Sequence, residues 1–144
     1  MTAPTTLTFL YGNASQQFAT KQWTWIALRV SALLVDSTYI PLINKDKNVS
    51  DIPAGSIAAR SNALGAYMTA QTSIYGICNG ILPTFDGVSW PNPITAIVLY
   101  VDTGIDSTSQ LIYYSSAGVG FPLIVDGFNY YIAPNLTYGG WFQV

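Results

Sequence analysis

Residues 95–101 read Thr-Ala-Ile-Val-Leu-Tyr-Val, with no charged side chain and no glycine. On a strand, Ala96, Val98 and Tyr100 face one way and Ile97, Leu99 and Val101 the other. Both sets are apolar, so both faces must be covered, and the segment belongs at the centre of a layered sheet. Its flanks agree. Pro91-Asn92-Pro93 forbids regular pairing just before it, and the polar stretch 102–109 reads as a loop after it.

The rest of the chain carries the same signature. Tyr, Trp, Phe, Val, Ile and Thr abound, whereas Glu is absent and Lys and Arg are scarce, a balance that favours strands over helices. Residues 5–11 read as an extended arm or first strand, and 12–20 as a short helical turn. Residues 23–31 read as a strand; the apolar run leaves a helix over 25–35 as the competing assignment. The charged stretch 44–51 reads as an exposed loop, and Ile52-Pro53-Ala54-Gly55 as a turn. Strands are expected at 56–63, 66–75, 110–115 and 127–133, with Asp86-Gly87 and the segment 117–122 as turns and 141–144 as a strand end. The expected fold is mainly β: a single-domain β-sandwich or small β-barrel with short helical turns and an extended N-terminal arm. Residues 1–22 form the arm and 23–144 the domain.

Charge is the second constraint. Half of the 144 residues are apolar and 8% are charged, against about a quarter charged in an ordinary soluble domain. A surface so poor in charge is either hydroxyl- and amide-rich or covered by partners. The net charge of −2 gives no reason to expect nucleic acid or an anionic membrane as partner. No apolar run reaches the length of a membrane span, and residues 1–13 lack the pattern of a signal peptide. The Asn-x-Ser/Thr triplets at Asn13, Asn48 and Asn135 carry no weight without a secretion signal.

Chemistry is thinly equipped. With no histidine, Ser-His-Asp and Cys-His relays are excluded, as are the usual zinc ligand sets. The lone Cys78 reads as a small buried apolar residue. Gly118-x-Gly120 precedes Phe121-Pro122 rather than a helix, so it is a turn and not a dinucleotide fingerprint. The sequence Asp102-Thr103-Gly104 looks like an aspartic-protease signature, but that chemistry needs two such aspartates, and too little chain follows for that fold's order. Asp102 and Asp106 fall short of a calcium shell. No catalytic residue, metal site or cofactor is expected.

Several segments taken in order carry a resemblance. They are Trp25-Ile-Ala-Leu-Arg-Val-Ser, Val49-Ser-Asp-Ile-Pro-Ala-Gly-Ser-Ile-Ala, Phe85-Asp-Gly-Val-Ser-Trp, Ala96-Ile-Val-Leu-Tyr-Val-Asp-Thr-Gly, Ser107-Thr-Ser-Gln-Leu-Ile-Tyr-Tyr and Gly120-Phe-Pro-Leu. Together, from Trp23 onward, they resemble a family of small virion-associated structural proteins of tailed bacteriophages. Gln110 stands where that pattern has a proline, and the closing segment departs from it. The resemblance implies a non-enzymatic particle protein, foremost a capsid decoration (cement) protein on the head surface. Its partners would be the major capsid protein or other virion proteins, with a homo-oligomer, a trimer first, by family analogy. A neck, tail or baseplate position and a receptor- or glycan-binding module are the alternatives.

For such a role, aromatic anchors are the expected contact residues. The candidates are Trp23, Trp25, Tyr113, Tyr114, Tyr130, Tyr131, Trp141 and Phe142, joined by Leu7, Phe9 and Tyr11 of the arm and by the tail 139–144. Ordinary core packing is the competing reading for each ring.

Overall fold

A computed structural model describes residues 7–63, 65–117, 120–134 and 140–144. Residues 1–6 of the expected arm, and Gly118, Asn135 and Gly139 from the turn, sequon and tail read above, lie outside them. The described residues form two antiparallel sheets and one α-helix. The larger sheet contains β1 (Thr8–Leu10), β2 (Val30–Asp36), β3 (Ile57–Arg60), β6 (Ile94–Val101) and β7 (Leu111–Ser115), in the order β1-β7-β6-β2-β3. The smaller contains β4 (Thr69–Ile74), β5 (Ile77–Ile81) and β8 (Phe142–Gln143), in the order β4-β5-β8. The sheets stay open at their edges, so the sandwich-like arrangement is realised and a closed barrel is not.

The fully apolar run is the central strand β6, between β2 and β7. Every residue of β2 and β7 is buried, which three adjacent strands covered on both faces require. The register pairs Leu33 with Val98 and Leu99 with Tyr113.

Residues 23–31 do not form the expected strand, and 25–35 do not form a helix. Trp25–Ala27 is a single 3-10 turn, and the strand begins only at Val30. The cause is local. The Trp25 indole is buried and donates to the Asn79 carbonyl at 2.8 Å, while the Gln71 amide donates to the carbonyls of Trp25 and Leu28 at 2.7 and 3.0 Å. A side chain, not a neighbouring strand, satisfies this backbone, so the segment coils.

The described part of the arm packs on the large sheet. β1 pairs with β7, and helix α1 (Gly12–Ala19) follows at once. Tyr11 and Ala14 are fully buried. The Tyr11 hydroxyl donates to that of Tyr39 at 2.8 Å, and Tyr39 donates to Asp46 Oδ2 at 2.8 Å. Burial pushes both phenols far above their ordinary pKa, so the relay stays protonated.

Residues 127–133 alternate as expected but form no strand. Their one bridge is between Phe85 and Tyr130, and Ile132 is buried while Phe128 and Tyr131 stay exposed. The strand that the sequence reading missed is β5. It is joined to β4 by the turn Tyr75-Gly76, whose positive φ values of 52° and 77° are those of a type I′ hairpin. Gly76 is required twice over: its φ is positive, and a Cβ there would lie 2.5 Å from the Val144 carbonyl oxygen.

An aromatic clasp joins the sheets. The ring of Phe142 on β8 lies 5.3 Å from that of Tyr113 on β7, 5.2 Å from that of Trp25 and 5.8 Å from that of Phe18 on α1.

Candidate interaction surface

The seven aspartates are the chain's only carboxylate side chains, and each accepts a hydrogen bond within the chain. Asp36 is buried and takes donors from Thr38, the Trp90 indole at 2.8 Å and Asn92 at 3.3 Å. Burial alone would raise its pKa, but these hydrogen bonds outweigh it and hold the carboxyl below its usual range. Asp46 receives Tyr39 and the Leu42 amide, and Asp51 the amides of Lys47 and Asn48. Asp86 receives Thr84 and Asp126 receives Tyr130. Asp106 holds Arg60 through both oxygens at 2.8 Å, which lowers the Asp106 pKa.

Asp102, the aspartate of the protease-like tripeptide, is buried at the end of β6. One oxygen accepts from Ser31 at 2.8 Å and Asn62 at 2.6 Å, and the other from the Gly104 amide at 2.8 Å. No second aspartate is hydrogen-bonded to it, so the shared-proton pair of an aspartic protease is not assembled. It ties the loop 102–109 to β2. Among the described residues, no group of three or more His, Cys, Asp or Glu side chains is placed to hold a metal ion. Cys78 is buried, and burial pushes its thiol up to about 11, so the thiolate is scarce at neutral pH.

The expected contact residues divide. Tyr11, Trp25, Tyr113, Tyr114, Trp141 and Phe142 are buried in their own chain, because they form the core that holds the sheets together. Trp23 and Phe9 are half-buried: Trp23 packs edge-on against Phe18, and Phe9 stacks on Tyr114 with centroids 5.2 Å apart. Tyr130 is half-buried, and Leu7 and Tyr131 are exposed.

Some of these residues meet again around β1, the edge strand of the large sheet. One groove, of about 450 Å³, runs between β1 and β8 and is lined by Phe9, Leu10, Ile43, Tyr113, Trp141 and Phe142. A second, of about 460 Å³, opens at the start of β1 and is lined by Leu7, Ile40, Pro41, Tyr114, Phe121 and Pro122. Among the described residues, no charged side chain lines either groove. Between them lies Ile40-Pro41-Leu42-Ile43, a run of consecutive apolar residues in which Ile40 is 76% exposed. Single exposed apolar side chains are ordinary, but a consecutive run beside an apolar groove, a second groove of mixed lining and, among the described residues, an unpaired strand edge marks a contact surface.

The sequence alone points to the arm residues on this surface, Leu7 and Phe9, but not to residues 40–43. The Ile-Pro-Leu-Ile run preceding the charged loop was the available signal. Nor does the sequence point to Tyr75, 92% exposed at the hairpin tip, because Tyr-Gly is not one of the usual hairpin-turn pairs. No family model, curated protein or solved structure matches this chain.

Proposed function

We propose that this chain is a non-enzymatic structural protein of a tailed-phage particle, a capsid decoration protein that binds across seams between shell subunits. One observation carries the non-catalytic part: all seven carboxylates are engaged in local hydrogen bonds, in a chain with no histidine and with its cysteine buried. The uncharged surface around β1 supports a contact role. An open strand edge accepts a partner strand through its backbone, and flanking uncharged grooves receive that strand's side chains. The particle assignment rests on the sequence resemblance, and the head position within it on the same footing.

Binding to the assembled shell but not to free subunits stabilises the shell by mass action. The test adds purified chain to particles lacking it and follows co-sedimentation and the temperature of genome release. Saturable binding with a raised release temperature is expected, and Ile40→Asp should weaken binding by at least about tenfold, because it places a charge in an apolar contact. Failure to co-sediment, or a peptidase or other turnover by the purified chain, would refute the reading.

A further inference from the structure

Ile40, Leu42 and Ile43 are exposed, although apolar side chains on a slack loop would turn inward to shed water. The backbone on both sides of them is fixed. Ahead of the run, Tyr39 is buried, with its ring 6.1 Å from that of Tyr114 on β7. Behind it, Asp46 Oδ2 accepts the Tyr39 hydroxyl at 2.8 Å and the Leu42 amide at 2.9 Å. The amides of Lys45 and Asp46 donate back to the Leu42 carbonyl at 3.0 and 2.9 Å. From the other side, the Gly12 amide at the start of α1 donates to the Ile43 carbonyl at 2.7 Å. A Cβ on Gly12 would lie 2.5 Å from Asn44 Oδ1 and 3.2 Å from the Ile43 oxygen, so glycine permits this approach.

We infer that Asp46 is a positioning residue for the contact run 40–43: its carboxylate ties Leu42 to the buried Tyr39 and presents Ile40, Leu42 and Ile43 to a partner in a fixed arrangement. The inference rests on the contact role proposed above for residues 40–43 and names what prepares them for it. One carboxylate oxygen acts twice. It closes a loop whose ends, Tyr39 and Asp46, are seven residues apart, and it holds the Leu42 amide within that loop. Pro41 fixes φ between the two ties. A loop closed in this way has given up its freedom before a partner arrives, so association does not have to order it. The core does not depend on the tie in the same measure. Without Asp46, the Tyr39 hydroxyl keeps that of Tyr11 as its partner. A carboxylate that served the core alone would loosen β6 as much as the loop when removed.

Amide hydrogen exchange and limited trypsin cleavage on the intact chain read the loop without any partner. In wild type the Leu42 amide should be protected, and cleavage after Lys45 and Lys47 should be slow. Asp46→Ala should speed both, the Leu42 amide by at least about tenfold more than the amides of β6. Asp46→Asn, which keeps a side-chain oxygen as acceptor, should restore most of the protection. In the co-sedimentation assay, Asp46→Ala should weaken particle binding by at least about tenfold, and Asp46→Asn should recover it. A Leu42 amide that exchanges alike in wild type and Asp46→Ala, or equal loosening of the loop and β6, would overturn the inference. So would undiminished particle binding by the loosened variant. A wild-type chain that binds no particle would instead refute the proposed function, and the exchange readings then decide on their own whether Asp46 holds the run.

Discussion

Replacing Phe142 by Ala removes the ring on which the two sheets meet. Phe142 is buried, with the rings of Trp25, Tyr113 and Phe18 within 5.2–5.8 Å. A buried Phe→Ala change costs about 3–5 kcal/mol in transfer and cavity terms. The two-residue strand β8 lies beside an open groove, so the site collapses in part and the lower end, about 3 kcal/mol, applies. Domains of this size have total stabilities of about 5–15 kcal/mol, so the loss is a large fraction. It corresponds to a fall in Tm of roughly 6–12 °C at ~2–4 °C per kcal/mol. Urea denaturation followed by tryptophan fluorescence measures it directly, since Trp25 packs edge-on against the deleted ring. A loss below about 1 kcal/mol in the isolated chain, together with weakened binding to particles, would refute the reasoning and return Phe142 to the role of a contact anchor.

Asp36→Ala strands the Trp90 indole and the Thr38 amide and should cost about 3 kcal/mol, read in the same urea experiment. The folded pKa of Asp36 lies below the unfolded value of 3.8, so its stabilising contribution is complete above that value and is lost as pH falls through the folded pKa. Wild-type stability should therefore be flat near neutrality and decline with acid below about pH 4, and Asp36→Ala should flatten that decline; an equal acid slope in both proteins would contradict the assignment. The Cys78 thiol should resist Ellman's reagent at pH 8 in the folded chain and react stoichiometrically in urea, whereas rapid labelling of the native protein would contradict its burial. Gly76→Ala, which meets the Val144 carbonyl at 2.5 Å with φ at +77°, should cost at least about 1 kcal/mol in thermal unfolding.

Strands β6 and β7 were legible because they are buried on both faces. An uninterrupted apolar run such as 95–101 admits little else, and the polar loop after it ends where the chain must turn. The small sheet was harder. Its strands hold Thr, Ser, Gln, Asn and Gly, and Cys78-Asn79-Gly80 breaks the strand pattern, so β5 emerges only once Trp25 and Trp141 donate to its carbonyls. The same tertiary contacts explain the displaced start of β2: the periodicity around Trp25 is real, but the indole is drawn inward and the backbone follows. Aromatic anchors were the least legible feature, because a ring that builds a core and a ring that builds an interface look alike in sequence. Phe142 and Trp141 went to the first use, and exposure fell instead on isoleucines such as Ile40 and Ile74.

Electron cryomicroscopy of purified tailed-phage particles incubated with this chain tests the proposed role most directly. Density for the two-sheet domain is expected at repeated, symmetry-related positions on the head, with the β1 edge and residues 40–43 against the shell. A mature particle that lacks the chain altogether, or one in which that edge faces solvent while another surface makes the contact, would contradict it.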